Sequence, residues 1–343
     1  MSHESIHRHA VVVTGLLPVL KDKVQGIGQR CRRPCIIEVM TRIFYDDEIR
    51  SQLCASDAVR WMGEAVDDHH GGILVAPPRT HADLGDERIL FTAGHLRGSW
   101  FGYRSYDTFQ AEPGEQVVVL HDEATGTVRA IAVGNELGPR RTGAIGAVAA
   151  DALASPTATV VAIIGTGTQA ATQLWALSAV RKLSEVRIFS RSQARRDAFA
   201  EMAKALTGAE CRSVSSPRSA VKGADIVILA TSSPTPVIEA DWLESGAYVT
   251  TLGPKQQGRA EFGIDLPAIA TVIVTDSIAQ IDAYDPPNVL VGTSQRDRLV
   301  SLGAVRAGAV ARPEPDRISL FFSVGLAGTE VYLLHRLMTS NSE

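Results

Sequence analysis

Cysteine is scarce, with Cys31, Cys35, Cys54 and Cys211 the only four in 343 residues. No set of histidines accompanies them, and "CRRPC" has the wrong spacing for a paired-cysteine zinc knuckle. They read as free thiols in a reducing, cytoplasmic setting. Long apolar runs are missing as well. None approaches the ~18–20 residues that span a bilayer, and no secretory signal is recognisable, so no membrane partner is expected. Neither sign of charge dominates. A formal net charge of -4 gives nucleic acid no electrostatic reason to bind. His95, His121 and His335 lack metal-ligand spacing, so no metal is expected, and there are no repeats or low-complexity tracts.

What is present is an ordinary globular composition over a length that suits two domains. Residues 1–39 are basic and show no clear period, which predicts an N-terminal extension, or a misplaced start ahead of Met40. From Phe44 to Gly72 the pattern is helical, with Val59, Met62 and Val66 on one face, and Pro77-Pro78 breaks it. "RILFTAGHL", "SWFGYRSYDTF" and "EQVVVLHDEATGTVRAIAVG" then read as strands. The "DEATG" turn predicts a hairpin, and hence an antiparallel or mixed sheet. A helix of small residues, "RTGAIGAVAADALA", suits close helix packing and stops at Ser155-Pro156. From Thr159 strands and helices alternate. Strands are expected near 160–164, 186–190, 225–230, 247–252 and 271–275, and helices include 169–182 and 193–206. Such alternation predicts a parallel, doubly wound sheet. After Arg317 come a short strand, a glycine turn and an amphipathic helix.

Gly165, Gly167 and Ala170 form G-x-G-x-x-A, straight after a buried strand and straight before a helix. In this context the first glycine permits a tight turn and the second leaves room for a pyrophosphate. The alanine lets helix and strand approach, while the helix N-terminus offers free N–H groups. Thr166, Thr168 and Gln169 complete the loop. NAD sites usually place an acid about 20 residues beyond the glycines. Here the second strand ends in Ser190, Arg191 and Ser192, a set that suits a 2′-phosphate, so NADP(H) is favoured and NAD(H) possible.

Several further stretches occur in order: "PPR" at 77–79, "GYR" at 102–104, "RTGAIGAVAADALA" at 141–154, "ADIVILATSS" at 224–233, "TLGPKQQGRAEF" at 251–262 and "FFSVGLA" at 321–327. With "GTGTQA" at 165–170 they resemble the ornithine cyclodeaminase/μ-crystallin family from about Ile43 to Leu337. That resemblance implies an α/β fold in which a Rossmann-type parallel sheet (149–316) is inserted into an α+β substrate and dimerisation domain (40–148 plus 317–343). It also implies a homodimer, and hydride transfer between a nicotinamide and the Cα of a small amino or imino acid. Carried over by position, Arg79, Arg104 and Arg141 should surround the substrate carboxylate. Thr142, Thr231, Ser232, Leu252, Gly253 and Ser323, with Arg141, should contact the cofactor, and Val324 the substrate.

Two positions depart from the family. Arg104 stands where it usually has lysine, and arginine exchanges no proton near neutral pH. Lys255 stands where the cyclodeaminases carry an aspartate that handles the amine proton. A cation there repels the ammonium and iminium charges of deamination. Lys255 could instead bind a second carboxylate or relay a proton, and Lys255 and Arg104 are the expected catalytic residues. Glu261 could pair with Arg259 or another cation, and Asp276 could cap the helix that begins at "SIAQ". The leading expectation is an NAD(P)H-dependent imine reductase or amino-acid dehydrogenase. The alternatives are an ornithine cyclodeaminase that releases ammonia and recycles NAD, and a non-catalytic cofactor-binding protein.

Overall fold

The computed structural model describes residues 41–109, 114–314 and 316–340. The expectation of an extension over 1–39, and with it Cys31 and Cys35, lies outside the described residues.

The first part is built from β1 (Arg42–Tyr45), α1 (Asp46–Gln52), α2 (Ala55–His70), β2 (Leu74–Val75), β3 (Thr80–Leu84), β4 (Glu87–Leu96), β5 (Trp100–Asp107), β6 (Gln116–Asp122), β7 (Val128–Gly134) and α3 (Leu137–Leu153). Phe44 therefore lies in a strand, and two helices replace the single one expected over 44–72. The helical stretch breaks at Leu53-Cys54, both of which adopt extended backbone. Met62 and Val66 are buried on the inner face of α2, as their spacing predicts. Seven strands form a mixed sheet, ordered β1-β7-β6-β5-β4-β2 with β3 beside β4. Only the β1–β7 pair is parallel. Side chains alternate along β5, with Trp100, Gly102 and Arg104 inward and Phe101 and Tyr103 exposed, as a one-faced sheet requires. The β6–β7 hairpin turns at the expected place, where Gly126 adopts φ 70° and its N–H reaches the carbonyl of Asp122.

The second part continues with β8 (Val160–Ile164), α4 (Thr168–Leu177), β9 (Glu185–Phe189), α5 (Gln193–Thr207), β10 (Glu210–Ser213), α6 (Pro217–Val221), β11 (Ile226–Leu229), β12 (Tyr248–Thr251), the small hairpin β13 (Lys255–Gln256) and β14 (Arg259–Ala260), α7 (Asp265–Ile269), β15 (Val272–Thr275), α8 (Ile278–Asp282), β16 (Leu299–Ser301), α9 (Leu302–Arg306), β17 (Ser319–Phe322) and α10 (Thr329–Ser340). Eight strands form one sheet in the order β10-β9-β8-β11-β12-β17-β15-β16, every neighbour parallel. The fold is thus α/β with a Rossmann-type doubly wound sheet beside a mixed one. Its central strands are apolar runs rather than alternations; all of Ile226–Leu229 is buried, at ~1.5–3 kcal/mol for each large side chain. The chain order reverses between β8 and β11, so their carboxyl ends form the crevice where such sheets hold ligands.

Two boundaries differ from those the sequence predicts. Helix α4 ends at Leu177, and Arg181, expected inside it, turns back to bind Asp151 at 2.5 Å. Strand β17 falls at 319–322 and hydrogen-bonds between β12 and β15. A division at 316/317 would assign it to the last helix; its ladder places it in the parallel sheet. Only residues 323–328 then lead from β17 to α10, which packs on the mixed sheet and buries Tyr332 edge-on to Trp100. At that entry Gly328 meets Gly94 of β4. A Cβ added to Gly94 would stand 2.4 Å from the Cα of Gly328, so both positions need glycine.

Candidate active site

The glycine loop follows β8. Gly165 adopts φ +114°, and an added Cβ would stand 2.2 Å from the carbonyl oxygen of Ala230, so side chains are excluded twice over. Around Gly167 a Cβ would meet nothing within 4 Å, which leaves an open side over the loop. Gly167 caps α4 without any side-chain hydrogen bond, and the first N–H groups of that helix face this space. Ala170 is fully buried. Helix α4 packs tightly on α3, where a Cβ on Gly143 would come within 2.2 Å of the Thr172 carbonyl and one on Gly146 within 2.0 Å of Gln173. The Gln173 side chain donates to the Thr142 carbonyl at 3.0 Å. Gln169 Oε1 is buried with no hydrogen-bond partner among the described residues, an acceptor that suits a hydroxyl or amide donor of a ligand rather than a phosphate oxygen. The open side at Gly167 and the start of α4 fit a dinucleotide diphosphate.

At the end of β9, Ser192 caps α5 by accepting from the Arg195 N–H, and the Ser190 hydroxyl donates to the Ser192 carbonyl at 3.1 Å. Both hydroxyls thus support the turn. Arg191 is exposed there.

Glu261, fully buried, ties the neighbouring loops together. Its Oε2 accepts from Thr231 N and Oγ1 at 2.9 and 2.8 Å, and its Oε1 from Thr251 Oγ1 and Gly253 N at 2.7 and 2.6 Å. The cation partner expected for it is replaced by these four donors. Two loop segments named for cofactor contact, at Thr231 and Gly253, are thereby held by one carboxylate; Ser232 is exposed beside them.

Beyond the loop lies a cavity of about 440 Å³. Gln169, Leu252, Gly253, Lys255, Ser323 and Val324 line it from the parallel-sheet side, and Arg79, with Arg141 and Thr142 of α3, lines it from the first part. The Arg79 main-chain N–H donates to Gln280 at 2.9 Å; its guanidinium reaches the Tyr106 hydroxyl at 3.3 Å and stacks 5.3 Å over Tyr284. Burial opposes its charge, but the two tyrosine hydroxyls more than offset this, and its pKa stands above the usual arginine value. Arg141 donates through Nε to Glu330 at 2.7 Å.

Arg104 is not among the residues that line the cavity. Its Nη1 bonds the same Glu330 oxygen at 2.6 Å, its Nε bonds Gln116, and its guanidinium stacks on Tyr106. The structure brings Arg79 and Arg141 together and sets Arg104 behind Arg141. The direct contacts expected of Arg104, as carboxylate ligand and as catalytic group, are thereby displaced, because Glu330 has captured its guanidinium. Glu330 is fully buried. Burial would raise its carboxyl, yet Arg141 and Arg104 together hold it below the usual carboxylate range.

Lys255 is 2% exposed, with its Nζ donating to the carbonyls of Leu252 and Gly253 at 3.1 and 2.7 Å. Asp276 is not a helix cap. That task falls to Ser277, which accepts from the Gln280 N–H. Asp276 receives the N–H groups of Val324 and Gly325, both at 2.9 Å, and so shapes the wall they form. Burial pushes its carboxyl up, against those bonds and the nearby Arg141 and Lys255. Gly325 has φ +92°, and an added Cβ would stand 3.2 Å from the Arg141 guanidinium. Sequence reasoning missed Glu330, Tyr284 and Gln280. Among the described residues no cluster of three or more metal-ligating side chains occurs. No helix among them is long and apolar enough to cross a membrane.

A parallel sheet with a glycine loop at its switch point, facing a cationic cavity, defines an α/β protein of the doubly wound, Rossmann type. More narrowly, the chain belongs to the ornithine cyclodeaminase/mu-crystallin family, whose model matches residues 103–340. It is 40% identical over 166 residues to a putative dehydrogenase of Rhizobium meliloti, across 48% of this chain and 50% of that protein. It therefore spans about half the length of that relative. It is 31% identical to a Delta(1)-pyrroline-2-carboxylate reductase of Bacillus cereus, across 65% of this chain and 71% of the relative. Among solved structures, Thermococcus litoralis Delta(1)-pyrroline-2-carboxylate reductase in complex with NADH and L-proline superposes with a TM-score of 0.80 at 23% identity, covering 88% of this chain and 97% of that one.

Proposed function

We propose that this protein is an NAD(P)H-dependent oxidoreductase acting on the C–N bond of a small amino or imino acid. The observation that carries this reading is the shared cavity. Arg79 and Arg141, from separate segments of the first part, share one wall with Gln169, Gly253 and Ser323 of the second. When bound, the nicotinamide supplies a hydride to the substrate Cα. The chain's own residues do the rest. Arg79 and Arg141 offer N–H donors that suit a carboxylate, Glu330 fixes the Arg141 fork, and Asp276 sets the Val324–Gly325 backbone. Glu261 holds the Thr231 and Gly253 loops at the cofactor edge. Lys255 adds positive charge at the wall.

The reductases named above support this reading, and Lys255, a cation at the cyclodeaminase aspartate position, disfavours ornithine cyclisation. The finer parts of the proposal are a preference for NADP(H), resting on Arg191 with no acid beside it, a cytoplasmic location and a homodimer. The dimer has a suitable face: Ile43, Ile131, Val119 and Tyr103 form one cross-strand row on the outer side of the mixed sheet, with Phe101 and Tyr45 exposed nearby. The test is a titration with NADH and NADPH, followed by imino acids and by 2-oxo acids with ammonia. Loss of NAD(P)H absorbance supports the reading. Ammonia released from ornithine without net reduction overturns it.

A further inference from the structure

The cavity carries more positive charge than one carboxylate consumes. Arg79 and Arg141 already present two guanidinium groups to an α-carboxylate. Lys255 is left over. Its ammonium has three donors, of which two meet the carbonyls of Leu252 and Gly253. Carbonyl oxygens solvate a cation but do not neutralise it. Among the described residues no carboxylate lies within ion-pair reach of Lys255, although the residue is 2% exposed. The nearby Asp276 gives its oxygens to the main-chain N–H groups of Val324 and Gly325, and a buried cation without an ion-pair partner is costly, so the site favours an anion.

Three surroundings narrow what that anion is. The loop that suits a diphosphate gives only Gln169 to this wall, so Lys255 stands apart from the diphosphate cradle. Arg259, on the other strand of the same hairpin, also lines the cavity and makes no ion pair among the described residues, whereas Arg88 is neutralised by Asp83 at 2.9 Å. Asp285 lines the cavity too, but it is exposed and does not reach either cation of the hairpin. Two unpaired cations of one hairpin thus face two arginines that come from the other part of the chain.

We infer that the substrate carries a second carboxylate, bound by Lys255 with help from Arg259, and is the imino form of a 2-oxo dicarboxylic acid. This rests on the oxidoreductase reading and sharpens it. The hydride from the reduced nicotinamide forms the new C–H bond at Cα. The C=N π pair moves to nitrogen, which takes one proton from solvent, leaving an amino dicarboxylate and the oxidised nicotinamide. Lys255 then acts by binding.

The test compares 2-oxo acids of matched length bearing one or two carboxylates, each with ammonia and NAD(P)H, by initial rates. The dicarboxylate is expected to show at least about tenfold higher kcat/KM, and Lys255→Met to shrink that preference by on the order of 10-fold to 100-fold, with Lys255→Arg retaining more of it. Equal preference in the wild type, or a preference unchanged in Lys255→Met, overturns the inference. If only imino acids with one carboxylate are reduced, the inference fails while the oxidoreductase reading stands. If nothing is reduced, that reading fails. Calorimetric binding of saturated mono- and dicarboxylic acids to the wild-type protein loaded with NAD(P)+ then still decides the second site, and serves equally if Lys255→Met does not fold. Tighter binding of the dicarboxylic acid supports the site, and equal binding overturns it.

Discussion

The two sheets bury negative charge in opposite ways. Beside the mixed sheet, Glu330 is met by two guanidinium groups, Arg104 from β5 and Arg141 from α3. At the carboxyl edge of the parallel sheet, Glu261 and Asp276 are met mainly by main-chain N–H and hydroxyl groups, with no ion pair among the described residues. The first arrangement aims a side chain at the cavity, and the second fixes backbone around it. A paired buried acid is strongly committed to its charge. Burial raises both Glu330 and Asp276; the two guanidinium groups more than offset it at Glu330, whereas at Asp276 the main-chain N–H bonds do not, and its carboxyl stands above the usual range.

The comparison breaks most visibly at Glu330. Glu330→Gln leaves two buried guanidinium groups facing an amide and is expected to cost ~3–5 kcal/mol of stability, read by denaturant unfolding, with kcat/KM falling in parallel as Arg141 loses its fixed aim. A loss below 1 kcal/mol would erase the contrast. Glu261→Gln comes next. Its amide would turn two donors toward a site that already supplies four, at ~1–3 kcal/mol, and NAD(P)H affinity should weaken because Thr231 and Gly253 are released together. Fluorescence titration of the cofactor reads this.

A smaller effect tests the mixed-sheet side through pH. Burial, with Arg336 and Arg129 nearby, lowers His335 to about 4. The unfolded chain binds a proton near pH 6.5 that the folded one refuses until about 4. Stability is therefore fully present above pH 6.5 and is lost as pH falls toward 4, by up to ~2 kcal/mol once solvent screening of this partly buried ring is allowed for. Melting temperatures across that window should slope less in His335→Gln. The smallest change is expected for Asp276→Asn. One amide oxygen can still accept a main-chain N–H and the burial of a charge is relieved, so unfolding should move by ~1 kcal/mol or less.

The same contrast explains what could be read beforehand. Gly165, Gly167 and Ala170 announce themselves because a strand, a turn and a helix start lie within a few residues, and the physics of that turn is local. The apolar run at 226–229 signals a buried parallel strand for the same reason. Glu330 gives no such sign: it meets Arg104 across 226 positions and Arg141 across 189. From the resemblance Arg104 looked like a substrate ligand, since nothing near it in the chain shows that a distant acid claims its guanidinium. Asp276 and Ser277 are both fair helix caps by local chemistry. What separates them is a pair of N–H groups 48 and 49 residues away. The strand at 319–322 was legible as a strand, but its ladder partners, and so its allegiance, were not.

The six residues between β17 and α10 have a mechanical consequence. They begin in the interior of one sheet, pass Gly325 beside Arg141, and end where Gly328 presses on Gly94 of the other sheet. So short a tether resists the hinge opening by which many two-lobed proteins admit their ligands. Val324 and Gly325, which line the cavity, are therefore anchored from both ends of the tether.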